Sequence, residues 1–329
     1  MTDKPRVWVS RPTFPGVIAR LEPHFQVSVE ETERKLSPSE LAARLAGQDA
    51  VIVGLKDRIG AAEVGAAERL RIVANLAVGY DNIDVDAMSA AGIAVTNTAD
   101  VLNESVADFA WALLLGTARR MPAAERWLRA GHWHATEFKA WLGTDVRGRT
   151  LGILGMGRIG QAIAHRAVGF AMPVIYHNRS PLPEAVERAC NARHVDKAQL
   201  LGESDFLVLA LPLNSRTRHA IGAAELALMK PTAMLINIAR GGIVDDAALA
   251  AALRDRRLAG AALDVFEGEP KLHPALLTLD SVVLSPHIAS ATTETRRAMT
   301  SVAVDNVLAL FGHGPHAGRP PNILNPNVL

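Results

Sequence analysis

Three apolar, strand-length runs end in residues able to do acid–base and charge chemistry. Residues 234–238 run into Ala239-Arg240-Gly241-Gly242. Residues 260–264 run into Val265-Phe266-Glu267-Gly268-Glu269-Pro270, and 281–285 into Pro286-His287-Ile288-Ala289-Ser290. In open α/β sheets the functional groups come from the carboxyl ends of strands, which is where Arg240, Glu269 and His287 fall. Reduction of a carbonyl asks for such a set: a proton donor that titrates near neutrality, a group that tunes it, and a cation to hold substrate charge. Among the chain's eleven histidines, His132, His134, His313 and His316 lie in polar or arm segments, and His177 ends a different strand. His287, locked behind Pro286, is the best placed.

The stretch that would bring a cofactor to these residues is 150–180, TLGILGMGRIGQAIAHRAVGFAMPVIYHNRS. A short apolar run ends in Gly155-Met156-Gly157-Arg158-Ile159-Gly160, a G-x-G-x-x-G. Ile159, Ala162, Ile163 and Ala167 then recur at helical spacing, and 173–177 is a second strand-like run. Strand, glycine turn, helix and strand are the context this dinucleotide motif requires. Gly155 allows the tight turn, Gly157 lets the backbone approach a pyrophosphate, and Gly160 lets the helix pack on the strand. Backbone N–H groups and the positive end of the helix dipole then face the phosphates. An NAD site usually carries an acid about 20 residues on, for the ribose 2′-OH. Here that place holds Asn178, Arg179 and Ser180, two neutral donors around a planar cation. This pattern favours NADP(H), with NAD(H) as second choice.

At 329 residues the chain exceeds one typical core, so two domains are expected. A net charge of +1 gives no electrostatic case for nucleic acid or a membrane surface. A single cysteine, Cys190, excludes an internal disulfide framework and reads as a packed small hydrophobe. The start MTDKPRVWVS does not read as a signal peptide. The most apolar stretch, 106–118, is interrupted by Asp108 and too short to span a bilayer. A cytoplasmic location is the expectation by elimination.

Strand signals at 6–10, 26–29, 50–54, 70–75 and 94–97 alternate with helix signals at 14–21, 39–46 and 61–67. A long helix over 104–120 follows, with Asn103 as its N-cap. It is apolar on most sides and should be buried between domains or subunits. Residues 125–148 carry Trp127, Trp133, Phe138 and Trp141, the composition of an interface arm. Six parallel strands are then expected, at 150–154, 173–177, 206–211, 234–238, 260–264 and 281–285, with helices at 223–228 and 246–255. A helix over 293–310 precedes an irregular tail, 312–329.

Across nearly the whole chain these segments resemble the D-isomer-specific 2-hydroxyacid dehydrogenases. The resemblance is carried by NLAVGYDNID (75–84), NESVADFAWALLL (103–115), LGILGMGRIG (151–160), LINIARGGIVDDAAL (235–249), GAALDVFEGEP (260–270) and LSPHIASAT (284–292). It implies an α/β fold of two Rossmann-like domains with doubly wound parallel sheets. A flavodoxin-like substrate domain, 1–99 and 290–329, would be interrupted by an NADP-binding domain, 100–289, that includes a dimerisation arm, 121–148. The family's catalytic Arg, Glu and His fall on Arg240, Glu269 and His287, and its nicotinamide-contacting Asp on Asp264. Further cofactor contacts are expected at Val106, Leu211, Pro212, Thr217, Ile238, Ala239, Ala289 and Ser290. The Ala77-Val78-Gly79 loop would grip the substrate carboxylate through backbone N–H groups. Leu55 and Lys56, in a loop that varies between specificities, would face the substrate, and Trp141 would reach the neighbouring subunit's substrate pocket in a homodimer. No metal is called for. The GTDV after the arm and the ending NPNVL resemble 2-ketogluconate reductases that also act on glyoxylate and hydroxypyruvate.

The implied reaction is NADPH-dependent reduction of a small 2-keto acid at C2 to the D-2-hydroxy acid. Arg240 would pair with the carboxylate and carbonyl oxygen, His287 would donate the proton, and Glu269 would hold the ring and favour its protonated form. The domains would hinge near 98–103 and 288–292 to exclude water. Two other readings of the same fold are a dinucleotide-sensing corepressor and a phosphoglycerate dehydrogenase-like enzyme. A corepressor should prefer NAD(H) and carry a disordered regulatory tail, and this sequence has neither sign. Formate dehydrogenases of the superfamily replace the Glu that stands here at 269.

Overall fold

Runs such as Ala50–Val53 (AVIV) and Phe206–Leu209 (FLVL) have no polar face. Both sides of such a strand must be covered, and a parallel sheet flanked by helices does this. In the computed structural model, which describes residues 4–65, 67–136 and 138–329, every residue of these two strands is buried. The chain forms two compact units. One comprises the residues up to Leu102 together with Ala291–Leu329, and the other is Asn103–Ser290.

The first unit holds β1 (Arg6–Val9), β2 (Gln26–Val29), β3 (Ala50–Val53), β4 (Ile72–Asn75) and β5 (Ala94–Thr96). They pair in parallel in the order β2-β1-β3-β4-β5, so the direction of building reverses between β1 and β3. Ile52 and Ile72 show no exposed surface. Full burial of such a side chain contributes roughly 1.5–3 kcal/mol. The expected helix over 61–67 is the single turn Ala61–Val64, and Ala66 lies outside the described residues. A short helix, Val85–Ala90, was not expected; Asp84 caps it by accepting from Ala87 N–H at 2.9 Å. The tail is irregular but pinned. Asn325, 4% exposed, accepts from Val95 N–H at 2.7 Å and donates to Ile93 O at 2.9 Å.

The second unit holds β6 (Leu151–Leu154), β7 (Val174–His177), β8 (Ala192–His194), β9 (Phe206–Leu209), β10 (Met234–Asn237), β11 (Gly260–Leu263) and β12 (Val282–Leu284). The order is β12-β11-β10-β9-β6-β7-β8, all parallel. This corrects the expectation of six strands. The extra strand β8 reads ARH and lies at the sheet edge, where no apolar run is required. Both sheets are doubly wound.

The long apolar helix spans Asn103–Ala118, so Asn103 is its first residue and not a cap ahead of it. Arg120, with φ +53°, closes the turn after it. This helix packs on the second unit's own strands β10, β11 and β12 and on the helix Arg158–Ala167. Trp111 Nε1 donates to Ile163 O at 3.0 Å, and its ring stacks on Phe170 at 4.5 Å. The arm opens with a helix, Met121–Arg129. Phe138 is 92% exposed and Trp133, Met121 and Leu142 more than 60%, although Glu137 between them lies outside the described residues. Cys190 is fully buried, and burial pushes its thiol pKa up. Among the described residues no helix is long and apolar enough to cross a membrane.

Candidate active site

The three glycines of the turn after β6 meet different constraints. Gly155 has φ +96°, and a Cβ there would stand 2.8 Å from Leu211 Cβ and 2.9 Å from the Ala210 carbonyl. A Cβ on Gly160 would stand 2.7 Å from Gly155 O. Gly157 is the opposite case: a Cβ would meet nothing within 4 Å. Gly155 and Gly160 therefore make the turn tight, while Gly157 opens onto space that a side chain would otherwise fill. The helix Arg158–Ala167 starts there with Gly157 as N-cap and no side-chain cap bond. First-turn N–H groups have no acceptor within a helix, so the cradle suits a pyrophosphate.

Two residues expected to touch the cofactor are committed to the turn itself. Met156 is fully buried, and its N–H donates to Asn178 Oδ1 at 2.7 Å. Asn178 Nδ2 also faces Met156 O at 3.4 Å. Asn178 thus ties the end of β7 to the glycine turn, where the sequence had suggested a donor for a phosphate. Arg179 and Ser180 are exposed, and Arg179 forms no ion pair with a described residue. His194 Nε2 lies 3.1 Å from Asn178 O, bracing the same loop. Thr217 is a turn residue: its hydroxyl donates to Pro212 O at 2.7 Å and accepts from Asn214 N–H at 2.8 Å. Ile238, Ala239 and Ala289 are buried, as is Val106. Next to Val106, Ser105 Oγ donates to Ala289 O at 3.2 Å.

The loops after β10, β11 and β12 converge. Asn237 fixes the first: its Oδ1 accepts from Ala239 N–H at 3.1 Å and its Nδ2 donates to Arg240 O at 3.2 Å. Gly241 then approaches so closely that a Cβ would stand 1.7 Å from Phe266 O. In the second loop Phe266 N–H donates to Glu269 Oε1 at 2.9 Å. Asp246 Oδ2 accepts from Glu267 N–H at 3.0 Å and is buried enough to push its pKa up. In the third loop His287 takes φ +56°, a left-handed conformation that only a few per cent of non-glycine residues adopt. Its ring Nδ1 lies 2.9 Å from Glu269 Oε2. Its Nε2 has no partner among the described residues.

Asp264 explains the turn. It has no exposed surface, and its backbone oxygen accepts from His287 N–H at 2.8 Å. Its Oδ1 accepts from Ser285 Oγ at 2.6 Å and Ile288 N–H at 2.9 Å, and its Oδ2 from Ala289 N–H at 2.9 Å. The nicotinamide contact implied by resemblance has no exposed carboxylate to use here; the group is committed to the turn that carries His287.

In the first unit, the Ala77, Val78 and Gly79 carbonyls all accept: from Thr98 N–H at 3.0 Å, Asn97 Nδ2 at 2.9 Å and Asn75 Nδ2 at 2.9 Å. The N–H groups of the same three residues donate to no described residue. A row of such donors suits an anion. Leu55 is half-buried and Lys56 exposed. Trp141 lies in the arm, its ring 5.5 Å from that of Trp127 and 4.9 Å from the Arg120 guanidinium. Sequence reading missed Asn75, Asn97, Asn237, Asp246 and Ser285. Three of these follow or end strands as lone polar residues, and that position was their signal. Among the described residues no cluster of His, Cys, Asp or Glu is arranged to hold a metal ion.

Comparison with known proteins agrees with this geometry. Residues 111–289 match the family described as D-isomer specific 2-hydroxyacid dehydrogenase, NAD binding domain. The glyoxylate reductase of Thermococcus onnurineus is 47% identical over 99% of this chain and 97% of its own length. That of Pyrococcus furiosus is 45% identical with the same two coverages, 99% and 97%. Among solved structures, the NADPH-dependent glyoxylate/hydroxypyruvate reductase of Sinorhizobium meliloti, in complex with NADP and malonate, superposes with a TM-score of 0.86. It is 37% identical, with 98% of this chain and 97% of that one covered. A glyoxylate reductase from Paecilomyes thermophila gives 0.88 at 32% identity, covering 99% of both chains. The fold and glycine turn are those of a nicotinamide-dinucleotide-dependent oxidoreductase. The chain belongs to the D-isomer specific 2-hydroxyacid dehydrogenase family.

The Glu269 carboxyl is pulled two ways. Burial raises its pKa, but the His287 hydrogen bond and charge, the Phe266 N–H and the Arg240 charge together bring it below the ordinary value. A lowered carboxyl contributes stability that is present above its unfolded value and lost as pH falls through the folded one. Removing the imidazole leaves burial with fewer opponents. In His287→Ala the Glu269 carboxyl should therefore titrate at higher pH than in the wild type, measured by NMR of the side-chain carboxyl carbon. A midpoint that stays or falls would show that the ring does not govern this group.

Proposed function

We propose that this chain reduces the C2 carbonyl of small 2-keto acids (glyoxylate, hydroxypyruvate and 2-ketogluconate) to the D-2-hydroxy acids, with NADPH preferred over NADH. The observation that carries the reading is the His287–Glu269 pair, Nδ1 to Oε2 at 2.9 Å, with no partner on Nε2 among the described residues and the Arg240 charge acting on Glu269. NADPH, when bound, supplies the hydride that C2 receives. The residues do the rest. The Ala77–Gly79 N–H groups hold the substrate carboxylate. Arg240 pairs with the carboxylate and carbonyl oxygen and offsets charge as the alkoxide forms. Glu269 accepts from Nδ1–H and holds the ring. In the imidazolium the second proton sits on Nε2, and His287 gives that proton to the oxygen, leaving a neutral ring whose Nδ1–H stays on Glu269. Leu55 and Lys56 meet the part of the substrate beyond C2.

The substrate choice is supported by the relatives, which carry glyoxylate or glyoxylate/hydroxypyruvate reductase names. The cofactor preference is supported by Arg179, exposed and without an ion pair to any described residue at the tip of β7. The first unit is the substrate domain and the second the nucleotide domain in this reading. A homodimer is supported by the arm, where Met121, Trp133, Phe138 and Leu142 are each more than 60% exposed.

Three measurements test these statements. His287→Ala should lower kcat by about 10²–10⁴ with dinucleotide affinity retained, whereas Arg240→Ala should raise KM and lower kcat together; an active His287→Ala enzyme would overturn the mechanism. NADPH should exceed NADH in kcat/KM by at least ~10-fold, since a charge-assisted phosphate contact contributes about 1.5–3 kcal/mol. Arg179→Ala should erase most of that gap, and equal efficiency in the wild type refutes the preference. Sedimentation at micromolar concentration should give a dimer; a 35.1 kDa species refutes it.

A further inference from the structure

The loop after β3 is built on a buried ion pair. Ser10 and Arg11 follow β1, and Ser10 N–H donates to Ile52 O at 2.9 Å, so they lie beside the end of β3. This is the point where the strand order reverses, the place where open α/β sheets take ligands. Asp57 is 4% exposed, and its Oδ2 accepts from Ser10 Oγ at 2.6 Å, Arg11 Nη2 at 2.7 Å and Gly54 N–H at 2.9 Å. From the other side Asn82 Nδ2 donates to Gly54 O at 3.2 Å and Asp57 O at 3.0 Å. A Cβ on Gly54 would stand 2.3 Å from Arg11 Nε, so the guanidinium fills the space a side chain there would need. Arg11 is itself mostly buried, 18% exposed, and its Nε has no partner among the described residues.

We propose that Arg11 is a positioning residue for substrate specificity: paired with Asp57, it sets the shape of the 54–57 loop and hence where Leu55 and Lys56 stand. The inference rests on the substrate role of that loop proposed above. Gly54 and Asp57 are fixed at both ends of the loop by named bonds, while Leu55 and Lys56 between them follow the backbone. Without Arg11 the Asp57 carboxylate is buried without its cation, and it must move toward water or other donors. Gly54 N–H then loses its acceptor and the loop relaxes. The Ala77–Gly79 loop is held by Asn75, Asn97 and the Thr98 N–H, none of which bonds Arg11. Asn75 also meets Asn82, which bonds Gly54 O and Asp57 O, whereas Asn97 and the Thr98 N–H bond neither Asn82 nor the 54–57 loop. The grip on the carboxylate and carbonyl common to all 2-keto acids thus keeps the Asn97 and Thr98 anchors. What changes is the grip on atoms beyond C2, which glyoxylate lacks.

The test compares KM for glyoxylate with KM for hydroxypyruvate and 2-ketogluconate in Arg11→Met, Arg11→Lys and Gly54→Ala, with NADPH affinity read by fluorescence. In Arg11→Met and Gly54→Ala the ratio of KM for the longer acids to KM for glyoxylate should change by about 5-fold or more, a shift of the size that one misplaced contact produces. That change should exceed any fall in kcat, and NADPH affinity should hold. Arg11→Lys, which keeps a cation over Asp57, should recover part of the ratio. A ratio unmoved in both variants, or a parallel loss of kcat and NADPH binding, makes Arg11 a stability residue only and overturns the proposal. If Arg11→Met does not fold, Gly54→Ala displaces the guanidinium but keeps both charges: a moved ratio there supports the proposal, and an unmoved one overturns it. A wild type that reduces none of the three acids removes the functional reading itself, whereas an active wild type with an unmoved ratio in the variants removes only the role of Arg11.

Discussion

A carboxylate with no exposed surface has to be answered by donors, and at Asp264 three come from one turn: Ser285 Oγ, Ile288 N–H and Ala289 N–H. An uncompensated buried charge costs several kcal/mol, so this turn cannot relax toward an easier backbone. The consequence falls on His287, which sits between those donors and is forced to φ +56°. Such a conformation costs of order 1–3 kcal/mol and persists only where its surroundings over-determine it. The backbone direction then decides where the ring goes, with Nδ1 on Glu269 and Nε2 open. The His287–Glu269 contact depends on a group that bonds neither ring nor Glu269.

The other two loops are held by close approach, through missing atoms. Gly241 lies so close to the Phe266 carbonyl that even a methyl group would separate the loops after β10 and β11. Their contact is what lets the Arg240 charge act on Glu269. At the far side of the second sheet, Gly155 and Gly160 let turn, strand and helix close up, and Asn178 locks the result to β7. Preorganisation of this kind keeps dipoles and charges in place before a substrate arrives, which is how electrostatic stabilisation of a reacting oxygen works.

Much of this was legible in sequence because burial on both faces of a parallel sheet leaves unbroken apolar runs, as in LGIL, FLVL, MLIN and GAAL. Arg240, Glu269 and His287 were found by a positional rule, and the structure joins Glu269 to His287 directly. The elements that sequence did not reveal had no pattern to show. Strand β8 is an edge strand of mixed polarity, and the helix Val85–Ala90 is too short for periodicity to speak. Asn178 looked like a ligand donor because its type and place fit that role, yet its amide closes the turn it follows. Asp264 was expected as a contact residue from the family resemblance alone, and its carboxylate bonds the turn that carries His287. Sequence distinguishes a polar side chain from an apolar one; it does not say whether that side chain faces a ligand or its own backbone.

Asp57 and Asp264 repeat one device in two units. Each lies just beyond a strand of a parallel sheet, at no more than 4% exposure, and each accepts several directional bonds from one or two short loops. Apolar packing could cover those loops but would not fix their dihedrals, because it is non-directional. Hydrogen bonds to a buried carboxylate do fix them, and bonds to a charged group are about twice as strong as neutral ones. Burying the charge lowers stability, and what results is a defined loop shape. In one unit that shape carries the imidazole, and in the other the residues after β3. Loops on a rigid scaffold are where chemistry can vary without disturbing the fold, and the buried carboxylate is what makes such a loop rigid.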